Sequence, residues 1–147
     1  MSQWSLRLTK AVLPDDFARR RRQLLNRMHP GSIAVIPGAV QHRRNNDIFF
    51  PFRQDSDFYY LTGFREPEAL LVLIPGRKQG ETIVFCRERD PVLERRDGVI
   101  LGPERWQSVL GVYDAFPICD VEEILPGLLE ARSQVYMNLG EHAAWNE

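Results

Sequence analysis

The sequence is short of lysine, cysteine and histidine, of net charge, and of long apolar runs. Of its 19 basic residues only Lys10 and Lys78 are lysines, and 20 acidic residues bring the net charge to -1. A chain so close to neutral carries no broad footprint for nucleic acid or an anionic membrane, and neither is expected as a partner. The arginine excess reads as a codon-usage bias before it reads as function. Cys86 and Cys119 are far apart and match no metal spacing. Two buried thiols in a reducing cytoplasm is the favoured reading, with a disulfide left open by sequence. His29, His42 and His142 are scattered, each read as a surface or helix-end residue. There is no H-E-x-x-H, no G-x-S-x-G and no glycine-rich strand-to-helix loop, so no nucleophile constellation, P-loop or dinucleotide site is visible. No apolar run approaches the ~20 residues of a membrane span, and MSQWSLRLTKAVLP has no signal-peptide core. The expected location is cytoplasmic.

What is present suits one domain over residues 1–147, with 44% hydrophobic residues to build a core. Pro14, Asp15 and Asp16 open a helix with Phe17, Leu24, Leu25 and Met28 on one face, closed by His29-Pro30-Gly31. The run Arg19 to Arg22 is read as its solvated face rather than a nucleic-acid site. Strands are expected at 32–37, 57–62, 69–74, 81–86, 115–118 and 134–139, with a hairpin joining 69–74 to 81–86 across the turn Pro75 to Gly80. A polar stretch follows Gly38, and Arg87 to Leu101 reads as a surface loop. Pro103-Glu104 opens a short helix carrying Trp106, and Asp120 is the expected N-cap of another, kinked or very short because of Pro126. Alternating strands and helices predict an α/β fold on a mixed sheet of about six strands flanked by helices.

The segment from Asn45 to Pro67 reads NNDIFFPFRQDSDFYYLTGFREP. It threads Arg53, Asp55, Asp57, Arg65 and Glu66 among Phe49, Phe50, Phe52, Phe58, Tyr59, Tyr60 and Phe64. Asp55-Ser56-Asp57 lacks the glycine and distal glutamate of an EF-hand, so Asp55 or Ser56 is expected to hydrogen-bond the loop into the following element. On a strand, Phe58, Tyr59 and Tyr60 alternate faces, which favours packing over a base-stacking platform.

The run NDIFFPFRQDSDFYYLTGFREPEALLVLIP resembles the signature of the N-terminal domain of aminopeptidase P, the Xaa-Pro aminopeptidases of the creatinase/prolidase (M24B) group. The match is long and ungapped. It is carried by Phe52-Arg53-Gln54, Ser56-Asp57-Phe58, Tyr60-Leu61-Thr62-Gly63 and Glu66-Pro67-Glu68-Ala69, and weaker similarity extends across nearly the whole chain. The resemblance implies a ribonuclease H-like α/β domain. It implies an enzyme that releases an N-terminal residue preceding proline, using two divalent metals, usually manganese, in a separate C-terminal pita-bread domain.

None of that domain's ligand motifs is in this sequence. GEHAAWNE resembles the opening turns of a helix without a C-cap. The expectation is therefore the N-terminal domain alone, with no catalytic residue, metal or cofactor of its own and no peptidase activity by itself. Its expected partners are its own catalytic domain, further copies in a homo-oligomer, and the peptide substrates of the longer enzyme. By resemblance, Asp47 matches an acidic residue at the cleft edge, where a carboxylate meets a substrate's α-amino group. Arg53, Gln54, Ser56, Asp57, Gly63, Glu66 and Pro67 form the structural motif, with Arg53 and Asp57 expected to pair. Phe49, Phe50 and Phe52 are expected to pack the loop on the core or on the catalytic domain. The stretch Asp90 to Gly102 resembles a family loop that reaches a neighbouring subunit, with Arg95, Arg96 and Asp97 where relatives often place an aromatic. The alternative reading is a stand-alone protein- or peptide-binding module of the same fold without peptidase activity.

Overall fold

The computed structural model describes residues 14–40, 43–45, 48–49, 52–112 and 114–137. Helix α1 (Pro14–Arg27) carries Asp15 and Asp16 in its first turn and Arg27 in its last, the signs that suit its dipole. Phe17, Arg21, Leu25 and Met28 are buried along it at helical spacing. Strand β1 (Ser32–Pro37) is buried along its whole length. A small antiparallel pair follows, β2 (Arg43–Asn45) with β3 (Ile48–Phe49), and then helix α2 (Ser56–Thr62). β4 (Leu70–Leu73) and β5 (Thr82–Cys86) form the expected hairpin, with Leu71 opposite Val84. Helices α3 (Pro91–Asp97) and α4 (Gly102–Leu110), strand β6 (Asp114–Pro117), a 3-10 turn at Ile118–Asp120, helix α5 (Val121–Leu129) and strand β7 (Gln134–Met137) complete the order.

Five strands form one mixed sheet in the order β6-β5-β4-β1-β7. β1 is antiparallel to β4 and parallel to β7, and β5 is antiparallel to β4 and parallel to β6. Successive side chains of a strand point to opposite faces, so each strand feeds two cores. Ala34, Ile36, Leu71, Leu73, Val84 and Cys86 meet Leu25 of α1, Phe58 and Leu61 of α2, and Trp106 and Leu110 of α4. Ile33, Val35, Leu70, Val72, Ile83 and Phe85 are covered by Ile124, Leu125, Leu128 and Leu129 of α5. Each such side chain contributes roughly 1.5–3 kcal/mol on burial, which is why the three central strands read as unbroken apolar runs.

Several expectations change. Residues 57–62 are not a strand but helix α2. Its ends decide this: Asp55 caps the N-terminus by accepting from Phe58 N at 2.9 Å, and Gly63 closes the C-terminus in the left-handed region at φ 74°. Phe58, Leu61 and Thr62 then fall on one buried face, a spacing only a helix provides. The large sheet consequently has five strands rather than six. The stretch Arg87 to Leu101 is not all loop: Asp90 accepts from Val92 N and Leu93 N, and Pro91 sits in the first turn of α3. Asp120 stands at the N-cap position of α5 as expected, but its side chain makes no cap hydrogen bond, and α5 spans nine residues with Pro126 inside it. Cys86 is buried but Cys119 is exposed, and both are free thiols.

Candidate functional site

The signature folds into a strap, Phe64 to Ala69, that crosses the top of the core between α2 and β4. Gly63 admits the strap. A Cβ there would lie under 3.0 Å from three atoms of the Phe17 ring. Gln54 clamps it on one side. Its Oε1 accepts from Ala39 N at 2.7 Å and Asp55 N at 3.0 Å, and its Nε2 donates to Phe64 O at 3.2 Å and Glu66 O at 2.8 Å. All four hydrogen-bonding positions of the amide are thus used, which also fixes which atom is oxygen. Gly38 lets Gln54 in: a Cβ on it would stand 3.2 Å from both Gln54 Oε1 and Ala69 O. Two further bonds, Gly38 N to Ala69 O at 2.8 Å and Glu68 N to Ala39 O at 3.1 Å, tie the exit of β1 to the strap.

On its other side the strap carries Glu66. The carboxylate Oε2 accepts from Trp106 Nε1 at 3.0 Å and Leu101 N at 3.4 Å, while Oε1 faces Arg87 Nη2 at 3.6 Å. This ion pair is largely buried, with side-chain exposures of 14% for Glu66 and 10% for Arg87. The Phe64 ring stacks on Trp106 at 3.9 Å, so strap and α4 are joined by a ring and a carboxylate together. Burial, then the Glu66 charge, pushes the neighbouring Cys86 thiol up to about 12, and it stays protonated at neutral pH.

Below the strap lies Arg21. It donates to Leu61 O at 2.8 Å in the last turn of α2 and to Leu110 O at 3.1 Å at the end of α4. Two helix C-termini, each bearing partial negative charge, thus share one buried cation. The run read as a solvated face is used differently at each member. Arg19 pairs with Asp16 at 3.0 Å, Arg20 lies over the Tyr60 ring at 4.3 Å, and Arg22 pairs with Glu81. Position along the helix separates them: Arg21 lies four residues from both Phe17 and Leu25, on the apolar stripe. That spacing was the signal in the sequence. For Trp106 and Arg87 no local pattern announced a carboxylate partner, because Glu66 is distant in sequence.

The remaining motif side chains, together with Gln54, line two depressions. Phe52, Arg53, Gln54, Ser56, Tyr59 and Arg65 surround a shallow one of about 230 Å³, where Arg65 lies 5.2 Å from the Tyr59 ring. Asp57 lines a separate groove of about 770 Å³ between α1, α2, β1 and β7, with Arg20, Arg27, Tyr60 and Tyr136. Arg53 thus lines the first depression and Asp57 the second. Pro67 is half-buried in the strap. Arg95 and Arg96 are exposed on α3. Phe49 belongs to β3, and Asp47 and Phe50 lie outside the described residues. Among the described residues no group of three or more His, Cys, Asp or Glu side chains is placed to hold a metal ion. No described helix is long and apolar enough to cross a membrane.

The model of a family described as aminopeptidase P, N-terminal domain, matches residues 17–136. The Xaa-Pro aminopeptidase of Haemophilus influenzae is 39% identical over 138 residues, covering 93% of this chain and 32% of the relative. That of Escherichia coli is 40% identical over 129 residues, covering 87% of this chain and 29% of the relative. Among solved structures, aminopeptidase PepP of Pseudomonas aeruginosa superposes with a TM-score of 0.87 at 49% identity over 92% of this chain and 30% of its own. The chain therefore spans about a third of the length of these relatives.

Proposed function

Because this chain belongs to the aminopeptidase P N-terminal domain family, we propose that it is the non-catalytic N-terminal part of a Xaa-Pro aminopeptidase. In the longer protein it would edge the cleft and contribute to oligomerisation, while catalysis and two divalent metals, manganese by preference, belong to a C-terminal domain. The observation that carries this reading is the coverage: 92% of the chain superposes on 30% of a solved aminopeptidase. The described residues support it chemically, since their buried or largely buried charges, Arg21, Asp55, Glu66 and Arg87, are engaged in holding chain segments together rather than converging on an open cavity. Val92 and Val99 stand 72% and 75% exposed beside Arg95 and Arg96, and this supports a contact between subunits at α3. Two free thiols support a reducing, cytoplasmic location. The test compares this chain with the chain extended by its catalytic part, each assayed on Xaa-Pro peptides with added manganese. Turnover is expected from the extended protein alone. Metal-dependent turnover by residues 1–147 would overturn the proposal.

A further inference from the structure

Two long connections leave the large sheet. One runs from the end of β1 to α2 and contains β2 and β3. The other runs from β5 to α4 and contains α3. Each is closed at its stem by a side chain of the signature. Gln54 closes the first by binding Ala39 N across the stem at 2.7 Å. Glu66 closes the second, with Arg87 at its start 3.6 Å from Oε1 and Leu101 N at its end 3.4 Å from Oε2. The two closures meet in one residue, because Gln54 Nε2 donates to the backbone oxygen of Glu66 at 2.8 Å.

We infer that Gln54 and Glu66 form a single coupling element that holds the two connections in a fixed mutual relation, so that a displacement of one stem is transmitted to the other. The path is short and every step is a direct contact. Moving the Ala39 stem pulls on the Gln54 amide. The amide pulls on the carbonyls of Phe64 and Glu66. Those two residues hold Trp106, by ring stacking and by the carboxylate respectively. Leu101 shares the same carboxylate oxygen as the indole N–H, so the stem of the α3 connection cannot shift without disturbing that bond. A fully satisfied amide and a partly buried ion pair have few alternative arrangements, which is what makes such a link stiff. On the function proposed above, a contact made at α3 would thereby be felt at the stem of the β2–β3 connection.

The test uses the 147-residue chain and reads no peptidase activity, so its outcome is independent of that function. Amide hydrogen exchange is followed by NMR at Ala39 and Asp55 on one side, at the Leu101 amide and Trp106 indole on the other, and at Val72 and Val84 as core references. Gln54→Met retains side-chain bulk and removes four hydrogen bonds. It should speed exchange at Ala39 and Asp55 about tenfold, and Leu101 and the Trp106 indole several-fold, with the references unchanged. Glu66→Gln keeps the acceptor but removes the charge facing Arg87, and should raise exchange at Ala39 from the opposite direction. If each variant affects only its own stem, the coupling does not exist. If all six sites speed up in equal ratio, the pair is an undifferentiated part of the fold and the inference fails equally. Should Gln54→Met not fold, the reciprocal effect of Glu66→Gln on Ala39 decides alone.

Discussion

Replacing Arg21 with methionine keeps an aliphatic stem among α1, α2 and α4 and removes the guanidinium that two helices share. Leu61 O and Leu110 O lose donors at 2.8 and 3.1 Å. A hydrogen bond to a charged group contributes roughly 1.5–3 kcal/mol, and a cation at a partly buried helix C-terminus up to about 2 kcal/mol. Against this stands desolvation of the guanidinium, several kcal/mol, the same burial that lowers the pKa of Arg21 without discharging it. The two carbonyls have no replacement donor in the variant, so loss outweighs relief, and we expect a net destabilisation of about 2–4 kcal/mol. For a domain whose total stability is of order 5–15 kcal/mol, that is a large share. Arg21→Lys carries one ammonium in place of a fork and should retain roughly half of the contribution. Urea unfolding followed by circular dichroism reads the effect as a midpoint lowered by about 1–2 M in Arg21→Met at unchanged m. A midpoint within about 0.2 M of the parent would refute the reasoning, because desolvation would then cancel both helix ends.

Gly63→Ala forces a β-carbon against the Phe17 ring at a φ of 74°, and the left-handed conformation alone costs about 1–2 kcal/mol. The loss should exceed that, Phe17→Leu should relieve part of it in the double variant, and strictly additive losses would show that no clash exists. Thiol titration at pH 8 should modify Cys119 alone in the folded chain and both cysteines in urea; two reactive native thiols would contradict the burial of Cys86. Hydrogen bonds from Arg22 and then Gly76 N hold the Glu81 carboxyl below its usual range, and those from Ile100 N and Arg89 do the same for Glu94. Their contribution is complete above an unfolded value of about 4.3 and is lost as pH falls through the lower folded values, so thermal stability should be flat from about pH 8 to 5 and decline below. Glu81→Gln should flatten part of that acid limb, and an unaltered limb would remove Glu81 from its causes. In the longer aminopeptidase, Asp47→Ala should raise KM for free-amine peptides while sparing kcat, and unchanged kinetics would remove its role at the cleft edge.

The central sheet was legible because burial on both faces leaves a signature in composition: after Ser32 and Thr82, SIAVIP and TIVFC are apolar, as ALLVLI is throughout, and their turns are marked by glycine and proline. Helix α2 was misread because its aromatics, Phe58, Tyr59 and Tyr60, have high strand propensity, and a seven-residue segment shows barely two turns of periodicity. Its true markers were the ends, Asp55 ahead of Phe58 and Gly63 behind Thr62, and the pair Asp90-Pro91 marked α3 in the same way. The motif residues were legible as a group. Their division was not, since Gln54 and Glu66 turned inward while Arg53, Ser56 and Asp57 turned out. Nothing in the segment itself distinguishes those directions; they follow from where β1 and α4 come to lie.

That division bears on what the domain is for. A buried ion pair is rarely worth more than an apolar replacement of the same volume, so Glu66 with Arg87 is a poor means of adding stability. What they do that a leucine cannot is satisfy particular backbone groups and so fix where chain segments end. Arg21 fixes the ends of α2 and α4; Glu66 fixes the ends of the α3 connection; Gln54 fixes those of the β2–β3 connection. The apolar layers would hold together without them, with the connections free to settle elsewhere. Polar groups are thus concentrated at the joints of this domain, where each sets the position of a chain end. If Gln54→Met and Glu66→Gln left both connections in place, polar groups at the joints would have no positional consequence, and their burial would be left without a physical reason.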